Sequence, residues 1–176
     1  MKKLLTIFLF FITSMLYSQA NYWHYYQFDF EGIGLCGPTC VAMVYKYFTG
    51  DEINVTTIEK LISIRELDGA TNIDSLCDAL KQLKIPNRKK SITFKNNFTF
   101  EQNLYIINID TEFILNKDYL YNGGHYIILF DYFDGYFLAN DPLVKEGFSW
   151  YYEDDIRKAL RHSTIIEVPK WKMNKY

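Results

Sequence analysis

Past its first twenty residues this chain changes hydrophobic period once, and it does so at Pro86. Before that proline, apolar residues recur at helical spacing: Val41, Val44, Tyr45 and Phe48, then Ile73, Leu76, Cys77, Leu80 and Leu83. After it, short runs rich in β-branched and aromatic residues take over, which is the signature of strands. Helices first and strands second is the order of an α+β domain, not of alternating βαβ units around a parallel sheet. The expected architecture is N-terminal helices packed on an antiparallel β-sheet.

The first helix is expected from Cys36, because Pro38 is tolerated in a first turn where its missing N–H is not needed, and it stops at Gly50. A second is predicted from the capping box Thr56-Thr57-Ile58-Glu59 to about Glu66, with Ile58, Leu61, Ile62 and Arg65 on one stripe and Asp68-Gly69 as breaker. A third runs from Ile73 to Lys84. Ser91–Phe94 is a short candidate strand, and Tyr105–Ile109 a firmer one. The clearest signal is a hairpin: His125–Tyr132 and Tyr136–Asn140 read as two strands joined by Asp134-Gly135, a pair suited to positive φ. Phe148–Tyr152, a helix over Glu153–Leu160 and a strand over Thr164–Val168 complete the chain.

Residues 1–20 read as a secretory signal peptide: Lys2 and Lys3 form a charged start, Leu4–Phe11 an apolar run, and Ser18-Gln19-Ala20 a small-x-small cleavage site. The apolar run is far shorter than the ~20 residues of a spanning helix. The expected product is therefore one domain, residues 21–176, secreted or periplasmic, with no membrane span after cleavage. The whole chain's balance of 19 Lys+Arg against 21 Asp+Glu argues against a nucleic-acid binder, which needs a concentrated basic surplus. No CxxC, HExxH or GxxxxGK[ST] occurs, so neither metal nor nucleotide cofactor is expected.

Three cysteines leave one over however the others pair. Cys36 is the candidate nucleophile, since the unpaired N–H groups and the positive dipole end of a first helical turn favour thiolate. Gly34 and Gly37 beside it would let a substrate backbone come close. A base is needed, and His125 starts a strand directly after Gly123-Gly124. Asp141 ends the partner strand of the same hairpin, so the two would meet at one edge of the sheet, the carboxylate fixing the imidazole's tautomer. Asn140 could orient the ring instead, but adjacent strand residues face opposite ways, so only one of the two can serve. Gln27, across a Gly-containing loop from Cys36, could add its amide to the Cys36 N–H as an oxyanion donor.

The blocks Gln27…Cys36-Gly37-Pro38-Thr39-Cys40-Val41-Ala42-Met43-Val44, Gly69…Leu76…Ala79-Leu80, Gly124-His125-Tyr126-Ile127-Ile128-Leu129 and Asn140-Asp141-Pro142 resemble the C39-like group of papain-fold cysteine peptidases. The resemblance runs from about Gln27 to Val168. It implies a papain-like fold in which Cys36 is nucleophile, His125 base, Asp141 the orienting acid and Gln27 the oxyanion glutamine, acting on a peptide or protein substrate. It also selects Asp141 over Asn140. The best-known members sit at the cytosolic end of peptide-exporting ABC transporters and clip leader peptides after a Gly-Gly pair. An exported chain, with the longer Gln27–Cys36 spacing, is more like the free-standing C39-like proteins.

Each residue also has a plainer reading. Cys40 and Cys77 both fall on apolar stripes and suit buried thiols; a Cys40–Cys77 bridge would also leave Cys36 free. His24 and His162 are expected on the surface. The sequons Asn54-Val55-Thr56 and Asn97-Phe98-Thr99 read as coincidence beside a bacterial-looking signal. The 18% aromatic content supplies core and sheet-face area where Leu and Val are few. The function expected is an exported cysteine peptidase. A cell-wall-peptide or small-molecule amidase using the same triad, or a peptidase-like binding module, are the alternatives.

Overall fold

A computed structural model describes residues 22–31, 34–62, 71–92, 98–114, 123–145 and 147–170. The expected signal segment, the end of the second helix beyond residue 62 with its Asp68-Gly69 breaker, and Phe94 lie outside them. The described residues form four helices and one antiparallel sheet. The helices are α1 (Cys36–Thr49), α2 (Val55–Leu61), α3 (Ile73–Gln82) and α4 (Glu153–Ala159). The strands are β1 (Arg88–Ser91), β2 (Asn103–Asp110), β3 (Gly124–Phe133), β4 (Tyr136–Asn140), β5 (Phe148–Tyr152) and β6 (Thr164–Pro169), in sheet order β1-β6-β2-β3-β4-β5. Among the described residues, no helix is long and apolar enough to cross a membrane.

The hairpin forms as its turn chemistry dictates. Asp134 and Gly135 both take positive φ, 48° and 84°, which matches the twist of the flanking strands and sets Phe133 opposite Tyr136. The cap of α2 differs from expectation: Asn54, not Thr56, is the N-cap, its Oδ1 accepting from the Thr56 N–H at 2.9 Å. Asn54 precedes the first helical residue in extended backbone, where a short amide reaches the second N–H of the turn. The first strand begins earlier than expected, at Arg88, and among the described residues pairs with β6 alone.

The sheet buries both faces. On one, α1 and α3 press Val41, Met43, Val44, Leu76 and Leu80 against Leu104, Ile106, Ile128 and Ile166. Each such wholly buried side chain contributes roughly 1.5–3 kcal/mol. The other face is smaller and more aromatic: Tyr105, Phe137 and Tyr151 join Ile107, Ile109, Ile127 and Leu129 under α4, with Phe98 meeting the Tyr105 ring edge-on at 4.9 Å. Much of the aromatic content is thus core, as composition suggested. Gly37 explains how α1 and α3 come so close: a Cβ there would lie 3.1 Å from Leu76 and 3.3 Å from Thr71. Its smallness serves helix packing, not the substrate access expected from its position beside Cys36.

Candidate active site

Three elements converge at one end of the sheet. α1 begins at Cys36, β3 begins with Gly124-His125, and β4 ends one residue before Asp141. β3 and β4 are adjacent antiparallel strands, so the start of one and the end of the other share that end. Both are interior strands, flanked by β2 and β5, so the pair does not sit at an edge of the sheet as expected. Alternation does the rest: Asn140 follows Leu138 toward the α1 side, and Asp141 turns the other way.

His125 and Asp141 are fully buried, and His125 Nε2 lies 2.6 Å from Asp141 Oδ1. With Nε2 engaged there, Nδ1 is the ring nitrogen left for Cys36, and the thiol and the imidazole shift one another's acidity. Two further donors hold the carboxylate. The Leu143 N–H donates to Oδ1 at 2.8 Å, and the Tyr151 hydroxyl, reaching across from β5, donates to Oδ2. The sequence reading missed Tyr151; its position in the Phe148–Tyr152 strand was visible, but its pairing with Phe137, which points it toward Asp141, was not.

These contacts set the charges. Burial alone would push the Cys36 thiol up, yet the hydrogen bond and charge of His125, with smaller help from the Tyr126 and Gly37 backbone, hold it below its usual value. Burial likewise opposes the His125 cation, but the Asp141 carboxylate and the thiol raise it to about 9. Burial raises Asp141, while the imidazole, Tyr151 and Leu143 outweigh it and bring the acid to about 2. All three shifts act in the sense of a thiolate–imidazolium–carboxylate chain. The backbone of Gly37 in the first helical turn lowers the thiol as well, by less than the imidazole does.

Gln27 lies in a one-turn 3-10 helix, Gln27–Asp29, and its backbone N–H donates to the Pro142 carbonyl at 2.8 Å. That bond ties its turn to the residue after Asp141. Its side-chain amide has no hydrogen bond among the described residues, and Oε1 is buried. Cys40 and Cys77 are buried and free, so no disulfide joins them; Cys40 Sγ lies 3.4 Å from the Tyr126 carbonyl. His162 is exposed as expected, but His24 is half-buried, with both ring nitrogens shielded.

Neither a protein-family model nor a curated relative matches the sequence. Solved structures do match the fold. The peptidase domain of Streptococcus ComA, a bifunctional ABC transporter involved in a quorum-sensing pathway, aligns with a TM-score of 0.58 at 14% identity, covering 81% of this chain and 96% of that one. The fold is that of a C39 peptidase domain. A double-glycine-motif protease from an AMS/PCAT transporter, solved with its leader peptide, aligns equally well at 0.58 and 17% identity, over 79% of this chain and 88% of that one. A protein described as a C39-like peptidase from Bacillus anthracis gives 0.57 and 14%, over 82% and 92%. The C39-type fold accounts for the helices-then-sheet order and for the papain-like arrangement expected from the residue blocks.

Proposed function

We propose that this protein is an exported cysteine peptidase of C39-like type. The observation that carries the reading is the buried chain from Cys36 through His125 to Asp141, with the thiol held below and the imidazole above their usual values. In this reading the Cys36 thiolate attacks the carbonyl carbon of a peptide bond. Negative charge collects on the carbonyl oxygen, and the Cys36 N–H with the Gln27 side-chain amide donates to it. The His125 imidazolium passes its proton to the departing amine, leaving a thioester on Cys36. Water, deprotonated by the now neutral His125, then hydrolyses the thioester and restores the pair. Asp141 keeps the ring in one tautomer and one plane throughout.

Export follows from the signal-like segment at residues 1–20, which makes the compartment secreted or periplasmic. The test is hydrolysis of peptide libraries by the mature protein and by its Cys36→Ala variant. Cleavage by the first and not the second supports the reading; equal cleavage by both, or none by a wild-type protein whose Cys36 is freely alkylated, overturns it.

A further inference from the structure

Beyond the triad, the buried Tyr151 hydroxyl is directed into it. We propose that Tyr151 is a positioning residue that acts through Asp141, making the working unit Cys36–His125–Asp141–Tyr151; this rests on the peptidase reading above. Tyr151 is among the largest wholly buried side chains, in the aromatic face of the sheet with Phe137 and Ile127. A phenolic hydroxyl so buried needs a partner, and its partner is Asp141 Oδ2. The other carboxylate oxygen is taken by His125 and by the Leu143 N–H. The carboxylate thus has each oxygen assigned, and rotation about its last bond would break contacts at both.

The arrangement has a direction. A donor to an ionised carboxylate stabilises the charged form, so Tyr151 keeps Asp141 ionised to lower pH. Tyr151 also fixes the carboxylate's orientation: without it the carboxylate can turn away from Nε2, the imidazolium is held less well, and Cys36 takes its proton back at higher pH. The hydroxyl itself is directed to Asp141 and takes no proton from substrate. Phe148, Trp150 and Tyr152 on the same strand alternate to the opposite face, so of its four aromatic residues Tyr151 alone is placed for this role.

The experiment compares wild type, Tyr151→Phe, Asp141→Asn and the double variant, reading iodoacetamide alkylation of Cys36 against pH together with kcat and KM on a cleaved peptide. In Tyr151→Phe the acid limb of alkylation is expected to move up by about one pH unit and kcat to fall about tenfold, with KM little changed. In the Asp141→Asn background the same change is expected to cost less than about twofold, because the hydroxyl has no carboxylate to act on. An acid limb that stays in place, or an equal loss in both backgrounds, overturns the proposal and marks Tyr151 as packing alone. If Tyr151→Phe does not fold, 3-fluorotyrosine at position 151 keeps the hydroxyl and makes it a stronger donor; the limb then moves down, and an unmoved limb overturns the proposal. A wild-type Cys36 with no acid-shifted limb at all contradicts instead the peptidase reading, so the two failures are distinct.

Discussion

Cys36 and Cys40 lie one turn apart on α1, both shielded from solvent, yet their acidities move in opposite directions. Cys36 keeps 7% of its surface accessible and Cys40 none, a difference too small to explain the divergence. Burial pushes both thiols up and is the largest single influence on each. What separates them is the neighbour. Cys36 faces the His125 imidazole, a donor and a potential cation; Cys40 faces the Tyr126 carbonyl, an acceptor, and feels the negative charge of Cys36 and Asp141. A low-dielectric site is shared; the imidazole, and with it the smaller help of the first-turn Gly37 backbone, is not. Reactivity here is a matter of which turn meets β3.

The comparison can be broken most directly by removing each sulfur. Cys36→Ala is expected to lower peptide hydrolysis by about 10⁴-fold or more. Cys40→Ala is expected to keep hydrolysis and to lose about 1–2 kcal/mol of stability in denaturant unfolding, the effect of a small cavity. A folded Cys40→Ala protein as inactive as Cys36→Ala would abolish the distinction. Next in size, Asp141→Asn is expected to reduce kcat by about 10²–10⁴-fold, since the amide cannot stabilise the imidazolium. Alkylation of Cys36 below neutral pH should slow in parallel while Cys40 stays unreactive; unchanged Cys36 alkylation would remove Asp141 from the account.

A pH profile sharpens the pairing. His125 is raised from 6.5 to about 9, so its proton adds stability that is fully present below 6.5 and lost as pH rises through about 9. Cys36, lowered, works in the other sense: its ionised form adds stability that is lost as pH falls. In wild type the two offset. Cys36→Ala removes one side while Asp141 still holds the His125 proton, so the Tm of that variant should decline between pH 6.5 and about 9 more steeply than wild type. Parallel profiles would contradict the thiolate–imidazolium pair. The smallest effect belongs to a remote cap: Asn54→Ala is expected to lower stability by about 1 kcal/mol and leave Cys36 alkylation unmoved. A change in alkylation there would mean that the site is not locally determined.

Much of this was legible in the residues. The Asp134-Gly135 turn, the stop of α1 at Gly50 and the strands around Tyr105–Ile109 and Phe148–Tyr152 depend on local chemistry, which a sequence carries openly. The meeting of His125 with Asp141 was legible too, because a hairpin brings its own two ends together. Less legible was whatever depends on which strands pair. The interior position of β3 and β4 requires β2 and β5 as flanks, and the Tyr151 contact requires the β4–β5 register. Gly37 was misread for a similar reason: its contact with Leu76 and Thr71 is long-range, and nothing near it in sequence announces α3. Asn54 was a different miss, a competing cap one step upstream of a plausible capping box.

The central claim is that His125 is what makes one of two buried thiols on α1 reactive. Iodoacetamide labelling of the native protein from about pH 5 to about pH 10, with each cysteine quantified by mass spectrometry, tests it directly. The account predicts rapid labelling of Cys36 with a midpoint below the usual 9.0, and no labelling of Cys40 until the protein unfolds. Cys36 labelled only above that value, or at the same rate as Cys40, would contradict it.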